Sequence, residues 1–553
     1  MPNSPHHHHK FRVPSNFYTF SSLPPEELIG PDTPMPPPDK PSEVCPLDEE
    51  GRDDVCSEQE SATDYESDSD PISKAGDISD SCHASIDLER SLSEFPNNPS
   101  EDNEKIACIR WKNQLQDKSQ YVLPETSRWT NLVTWFTPYR QLFVLILGVN
   151  FLGASAALLG YWPWPMEHLT SLVVGNALLA ISVRSEWVLR FLYWLAVKTF
   201  RPRIFPLWLR VKVVSILYHI GGVHSGSGLS ALLWLTLGSS IHFQNPSEHN
   251  IIILISLGIC EACMYLTCLA AFPFIRGRHH NLFEMIHRFV GWIGILSTIV
   301  FVIVDSLWDM DNQSWDSSAS RLITKPELWF LITIVIIIFF SWITIMRVPV
   351  TILTSSDKAS VIRVPGGLTS GLHTRISLGG LREWHIFGSI SEGKDADYHY
   401  VVAAVQGEFT RMLNIEKPAM LYTKRWKPCG LPYFSRLFKR GVAMCTGSGI
   451  GAVASTCMQH DSWFLIWIGP NLENTYGQEI MQLICNRIPE SRRLIWDTRG
   501  PLGRPNVVPL LQETYRYWKA EVALFIGSPG MNSQVLQSCQ ALKTPVFGSI
   551  WDA

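Results

Sequence analysis

Six apolar stretches, at 141–160, 170–196, 211–238, 250–274, 284–304 and 327–346, dominate the middle of this sequence. A bilayer core about 30 Å thick is crossed by about 20 apolar helical residues, and each stretch approaches that length. The second is interrupted by Arg184, Glu186 and Arg190, whereas the sixth, ELWFLITIVIIIFFSWITIM, is apolar nearly throughout. A chain with these runs is expected to build a multi-pass helical bundle. The loop before the third stretch and its flanks carry Lys198, Arg201, Arg203, Arg210 and Lys212, and the loop before the fifth carries Arg276 and Arg278. The alternate loops are poor in basic residues, so both termini are expected on the cytosolic side. Cys260 and Cys263 lie within an apolar run and read as packing thiols. His279 and His280 read as a membrane-surface cluster beside Arg276 and Arg278.

Charge separates the chain into two parts. Residues 1–105 hold 7 Lys/Arg against 24 Asp/Glu, and residues 106–553 hold 39 against 27. The acidic part is rich in Pro and Ser and buries too little apolar area to offset its ordering entropy, so a disordered tail is expected. Its His6–His9 run reads as a low-complexity tract or tag. The basic excess of the remainder lies partly in the loops that orient the bundle. It therefore calls for no nucleic acid.

Beyond Arg347 the pattern is that of a soluble protein. Over 358–412, short alternating runs broken by glycine predict a small antiparallel barrel. From about 420, the apolar runs GVAMCTGSG, SWFLIWIG, RRLIWDT, EVALFIGS and TPVFGSI alternate with helical stretches. That alternation predicts a doubly wound parallel sheet. Gly447, Gly449 and Gly451 follow the first of these strands and open a helix, where glycines let a pyrophosphate approach the backbone. A purely structural turn is the alternative.

Bundle, barrel and nucleotide fold in this order resemble the ferric reductase and NADPH oxidase superfamily. Trp384-His385-Ile386-Phe387 with Ser391 resembles its flavin motif, and Gly407-Glu408-Phe409-Thr410 the segment that follows. Gly447 to Gly451 and Gly503-Arg504-Pro505-Asn506 resemble its nicotinamide-nucleotide elements, and Asn176 and Arg184 a second-helix pair. Within the superfamily, Phe283 to Trp292 and the ending Phe547 to Asp552 resemble a fungal group of TmpA-type membrane flavoproteins linked to asexual sporulation. The resemblance covers roughly 130–553 and excludes the acidic tail; with the composition it divides the chain into 1–105 as tail, 106–140 as a pre-membrane segment, 141–347 as a six-helix domain, 348–418 as the FAD barrel and 419–553 as the NAD(P) domain. It implies FAD contacts from His385, Phe387, Ser391, Thr410 and Trp551. NADPH contacts fall to Gly447, Gly449, Gly451, Arg504 and Pro529, with Arg504 toward the 2′-phosphate.

The superfamily's haem histidines recur 13–14 residues apart on two helices, a step of about 20 Å. Here Arg210 lies 14 residues before His224, and Val300 and Phe301 lie 13 and 14 after His287. His219, His224 and His287 are thus candidate ligands of one haem, or they shape a quinone or substrate pocket, or they bond within the bundle. A haem relay is not favoured. The superfamily's nicotinamide-side cysteine is replaced by Gly527. The expected function is a plasma-membrane flavoprotein passing electrons from NADPH through FAD to a small-molecule acceptor, making or modifying a signal in conidiation or secondary metabolism. The alternatives are a haem-containing ferric reductase or NADPH oxidase, and a non-catalytic redox sensor. The expected partners are a nicotinamide nucleotide, the acceptor and membrane lipids.

Overall fold

A computed structural model describes residues 127–549 except Leu381. The acidic tail, His6–His9 and Trp551 lie outside the described residues.

The first half is a helical bundle. Its helices are α1 (Pro138–Leu158), α2 (Leu169–Ser182), α3 (Glu186–Phe200), α4 (Leu207–Tyr218), α5 (Gly221–Gln244), α6 (Ile251–Ala270), α7 (His280–Leu307) and α8 (Pro326–Ile343). Proline at the first turn starts α1 and α8, where the missing N–H is no loss. Asn250 caps α6 by accepting from the Ile252 amide at 3.0 Å. Six helices contribute to one apolar core, among them Ala154 of α1, Val174 of α2, Trp234 of α5, Leu257 of α6, Val302 of α7 and Ile334 of α8. A polar knot crosses it: Asn150 Oδ1 accepts from Trp234 Nε1 at 2.8 Å and from Asn176 Nδ2 at 3.0 Å. Asn150 of α1 thus joins the α2 amide to the α5 indole, which leaves both donors satisfied.

Six spans are not what the bundle shows. Among the described residues, four helices, α1, α6, α7 and α8, are long and apolar enough to cross a membrane. They number five if α2 and α3, bent by 72° to each other, form one span. The third expected span is broken at His219, which caps α4, so α4 and α5 are separate helices. Arg210, counted among the orienting loop charges, is buried and pairs with Glu521 at 3.4 Å. Its guanidinium also donates to the Leu437 carbonyl. A charge in the expected loop is therefore spent on a contact with the C-terminal half.

The antiparallel barrel has eight strands: β1 (Ile345–Pro349), β2 (Thr351–Ser355), β3 (Ala359–Pro365), β4 (Thr374–Ser377), β5 (His385–Phe387), β6 (Ser389–Ile390), β7 (Tyr398–Ala404) and β8 (Met420–Lys424). They form two four-stranded sheets, ordered β1-β8-β4-β5 and β2-β3-β7-β6. Helix α9 (Glu408–Glu416) packs its Phe409 and Leu413 into the core beside Val348, Ile362, Ile376 and Val401. The boundary expected at 418 cuts off β8, which pairs with β1 from Met420–Pro349 to Lys424–Ile345. Ion pairs from Glu186 at the start of α3 to Arg375 (2.8 Å) and Lys424 (3.7 Å) seat the barrel on the bundle.

The last unit is a five-stranded parallel sheet of β9 (Gly441–Thr446), β10 (Trp463–Gly469), β11 (Arg493–Asp497), β12 (Val522–Ile526) and β13 (Val546–Gly548). Its order is β11-β10-β9-β12-β13, with helices α10 (Ile450–Gln459), α11 (Val507–Tyr517) and α12 (Pro529–Ala541) between strands. All seven residues of β10, WFLIWIG, are buried, as a central strand covered on both faces requires. The expected barrel and doubly wound sheet are both present.

One barrel histidine carries a pH dependence. The Ser389 hydroxyl donates to Thr374 Oγ1 (2.9 Å), which donates to His399 Nε2 (2.8 Å), while His399 Nδ1–H donates to the Gly366 carbonyl. His399 is 1% exposed, and burial pushes its imidazole down to about 4. An unfolded chain gains this proton near pH 6.5, whereas the folded one refuses it until about pH 4. Stability is therefore full above that window and falls as the pH drops through it, by about 3 kcal/mol at the acid end. Chemical denaturation at pH 7 and pH 4.5 checks this: the midpoint falls less between the two pH values in His399→Gln than in the unsubstituted protein.

Candidate functional site

A parallel sheet opens a crevice where its strand order reverses, outside the carboxyl ends of the strands. Here that point lies between β9 and β12. Gly447, at φ +54°, starts the turn after β9, and its carbonyl accepts from Trp467 Nε1 at 2.9 Å. Gly449 lies against β12: a Cβ there would stand 2.8 Å from the Ile526 carbonyl oxygen and 2.9 Å from Ile526 Cγ2. Helix α10 then begins, aiming its first N–H groups and positive dipole end at this side. Gly447 and Gly449 thus form the floor expected for a dinucleotide phosphate.

Gly451 has a different neighbour. A Cβ there would lie 3.1 Å from the Gly388 carbonyl oxygen, and a Cβ on Gly388 would lie 2.4 Å from the Ala452 nitrogen. Two backbones meet at this point, so the missing side chain admits the barrel strand rather than a ligand. Gly388 is required by the same contact.

Across the crevice, Gly527 follows β12, and a Cβ there would meet Phe525 Cζ at 2.7 Å. A cysteine at this position would clash, so glycine here is a packing requirement. Ser528 caps α12 without a side-chain capping bond, and Pro529 occupies the first helical position, exposed. Arg504 is exposed on the loop after β11, next to Gly503, whose carbonyl accepts from Trp496 Nε1 at 2.8 Å.

On the barrel, His385 and Phe387 flank Phe409, at ring separations of 4.3 and 6.2 Å. His385 Nε2 is shielded from solvent yet has no hydrogen-bond partner, and Glu383 stands 3.8 Å from it. The two half-buried rings, His385 and Phe387, lie against the buried Phe409, and this shelf with one unsatisfied ring nitrogen fits a planar aromatic group such as a flavin. Ser391 and Thr410 are engaged elsewhere. The Ser391 hydroxyl accepts from the Leu368 amide (2.8 Å) and donates to the Gly393 carbonyl (3.0 Å). Thr410 Oγ1 accepts from the Gln406 and Gly407 amides at 3.1 Å each, closing the start of α9. Both hydroxyls hold loops together, a role that motif matching did not reveal.

In the bundle, the structure joins two of the three candidate histidines. The rings of His224 and His287 meet edge-on, 6.1 Å apart, with His224 Nδ1 bonded to the Ala180 carbonyl at 2.9 Å. His219 bonds back to the Ser215 carbonyl at 2.7 Å and packs on Tyr218. Cys260 and Cys263 are buried on α6, the former 3.0 Å from Thr298 Oγ1.

Residues 431–553 match the family model described as the adenylate-forming reductase 03009 C-terminal domain. Adenylate-forming reductase 06235 of Coprinopsis cinerea is 27% identical over 427 residues, covering 76% of this chain and 40% of that protein. Adenylate-forming reductase 03009 of the same fungus is 27% identical over 435 residues, with the same coverage. The chain thus spans two fifths of the length of these curated relatives. Among solved structures, the ferredoxin reductase of carbazole 1,9a-dioxygenase covers 37% of this chain and 69% of its own, at 14% identity and a TM-score of 0.29. An Amycolatopsis cytochrome P450 reductase shows the same coverage at 12% identity and a TM-score of 0.27.

The curated relatives correct the functional expectation. Proteins matching three quarters of the chain are adenylate-forming reductases, not ferric reductases or NADPH oxidases. The membrane electron-transfer role with a developmental signal is overturned with them, as are its haem-oxidase and sensor alternatives.

The crevice is open to test. In Gly449→Val the branched side chain must displace the Ile526 carbonyl or fill the floor of the turn. A fall of at least about tenfold in nicotinamide-nucleotide affinity is expected, read by fluorescence titration with folding verified by circular dichroism.

Proposed function

We propose that this chain is a reductase that takes a nicotinamide dinucleotide in the crevice between β9 and β12 and FAD on the barrel shelf. The observation that carries this reading is the Gly447–Gly449 turn, set against Ile526 at the point where the strand order of a parallel sheet reverses. When bound there, a nicotinamide nucleotide supplies a hydride. The chain's own work is to hold phosphate at the amide groups of the turn and the start of α10, and to orient the ring end toward Gly527 and Ser528. His385 and Phe387, backed by the buried Phe409, present two half-buried rings, and His385 Nε2 offers one polar contact beside them.

The relatives' description supports a substrate class. An adenylate-forming reductase couples adenylation with reduction, so the group reduced is a carboxyl activated by adenylation. Residues 431–553 resemble the C-terminal domain of one such protein, which supports assigning the reductive part to this chain. Hydride addition to the activated carbonyl carbon, with departure of the activating group, gives an aldehyde. The unactivated acid, with no such leaving group, is not turned over.

The bundle has a proposed place as well. Leu145, Val149 and Leu152 of α1, Ile255 and Ile259 of α6, Leu296 of α7 and Ile336 and Phe339 of α8 are large, apolar and exposed. Such a belt supports lipid contact, with the barrel and sheet on the cytosolic side.

Anaerobic titration of the full chain with NADPH and NADH, alongside flavin analysis of the same sample, tests the reading. The expected result is bound flavin that loses its colour as it oxidises one equivalent of nucleotide, and further nucleotide oxidation, beyond that equivalent, only when an acyl adenylate is present. Absence of nucleotide binding to the folded protein overturns it. Arg504→Ala separates the two nucleotides: NADPH affinity falls by about tenfold, the scale of one charge-assisted contact, and NADH affinity is unchanged.

A further inference from the structure

One end of the bundle holds a cluster that the nucleotide site does not use. His242 lies near the end of α5, His249 follows the short turn Pro246–Glu248, and Asp305 lies in the last turn of α7. Each offers one ligand atom, and the three atoms lie within 4.8 Å of one another. The two imidazoles stack at 4.3 Å, and His242 Nε2 stands 3.5 Å from Asp305 Oδ1.

The bonding of His242 decides what this cluster suits. Its Nδ1 lies 2.9 Å from the Gly238 carbonyl, so that nitrogen carries the proton. In neutral His242 the Nε2 lone pair then faces a carboxylate oxygen, acceptor against acceptor. Nε2 is shielded from solvent and makes no hydrogen bond, and the same holds for His249 Nδ1. Two imidazoles, each with an orphaned nitrogen, and one carboxylate thus bring a ligand atom each within 4.8 Å of the others. A cation between them satisfies all three, and the Gly238 carbonyl already supplies the outer bond that fixes a ligating histidine. In four-coordinate zinc, ligand atoms about 2.0–2.1 Å from the metal stand about 3.3–3.4 Å apart, close to the His242–Asp305 separation.

The three elements are braced independently of any ion. Trp308 Nε1 donates to the Glu248 carbonyl at 2.8 Å, and Gln313 Nε2 donates to the Ser247 carbonyl at 3.1 Å. These bonds tie the turn before His249 to the segment after α7. A mostly apolar cavity between α2, α5, α6 and α7 has His242 in its lining, with Ser239, Thr298 and Phe301 among the other residues.

We propose that His242, His249 and Asp305 bind a divalent first-row transition metal, with zinc the ion their two-nitrogen, one-oxygen set suits best. Three protein ligands leave a fourth position for water or a small ligand. The rival arrangement is a protonated His242 paired with Asp305, which needs no metal.

The test uses the full chain in detergent, with His6, His7, His8 and His9 all replaced by alanine so that the tract cannot bind the probe. After chelator treatment and dialysis, cobalt(II) is titrated in. The expected result is about one ion per chain, the intense visible absorption of four-coordinate cobalt, and displacement by zinc. X-ray absorption on the zinc form should count two imidazoles. His242→Gln and Asp305→Asn should each abolish the cobalt band and weaken binding by about tenfold or more. No cobalt band in the chain with His242, His249 and Asp305 intact, or a zinc shell without imidazole, overturns the proposal whether or not the variants fold. A band that persists in folded His242→Gln overturns it too.

Discussion

Helix α10 is gripped by the barrel along its length. At its first turn the Gly388 and Gly451 backbones touch with no side chain between them. One turn on, the Ser455 hydroxyl accepts from the Ser391 amide and donates to the Ser389 carbonyl, both at 2.8 Å. At its end, Gln459 donates to the Leu368 and Ser391 carbonyls and accepts from the Ser370 amide. Ser455 and Gln459 are both paired across this seam, so barrel and sheet are registered by directional bonds. The ring shelf on β5 and the glycine turn after β9 owe their mutual placement to this helix, since it follows the turn directly and is bonded to the strand next to the shelf.

Much of this arrangement is legible in the sequence. Alternation with period two and glycine breaks marks the barrel, and five apolar runs separated by helical stretches mark the sheet, because both patterns follow from which faces are buried. The glycine turn is legible because close backbone approach leaves few alternatives to glycine. The helical spans are less so. Length and apolarity do not reveal that α2 and α3 diverge by 72°, nor that the stretch around His219 is a helix end. Arg210 shows the limit of charge counting, since a basic residue reads identically whether it meets solvent or pairs with Glu521 from 311 positions away.

The site residues divide along similar lines. His385, Phe387, Gly447 and Gly449 lie on surfaces that a ligand could reach, whereas Ser391, Thr410 and Gly451 serve contacts within the protein. A motif match is blind to this difference, because the same residue satisfies a ligand or a neighbouring loop with the same atoms. The reaction is less visible still. The turn and shelf bear on the proposed electron donor, and the proposed acceptor rests on the description of relatives of which the chain spans 40%.

The core that surrounds α10 does not stop at the barrel. Tyr193 and Val197 of α3 and Val214 of α4 belong to the same apolar cluster as Ile390 of the barrel and Leu465 of the sheet. Tyr193 packs on Phe434 at 4.3 Å, in the buried segment Leu431–Leu437 that joins barrel to sheet. The half made of barrel and sheet is consequently not a cassette that ends where the last apolar helix does. Severed at Arg347, it would lose part of its own interior and present an open apolar socket to water. Any recombination event or engineered fusion that moves this half alone must carry α3 and α4 with it, or supply two helices that fill the same socket.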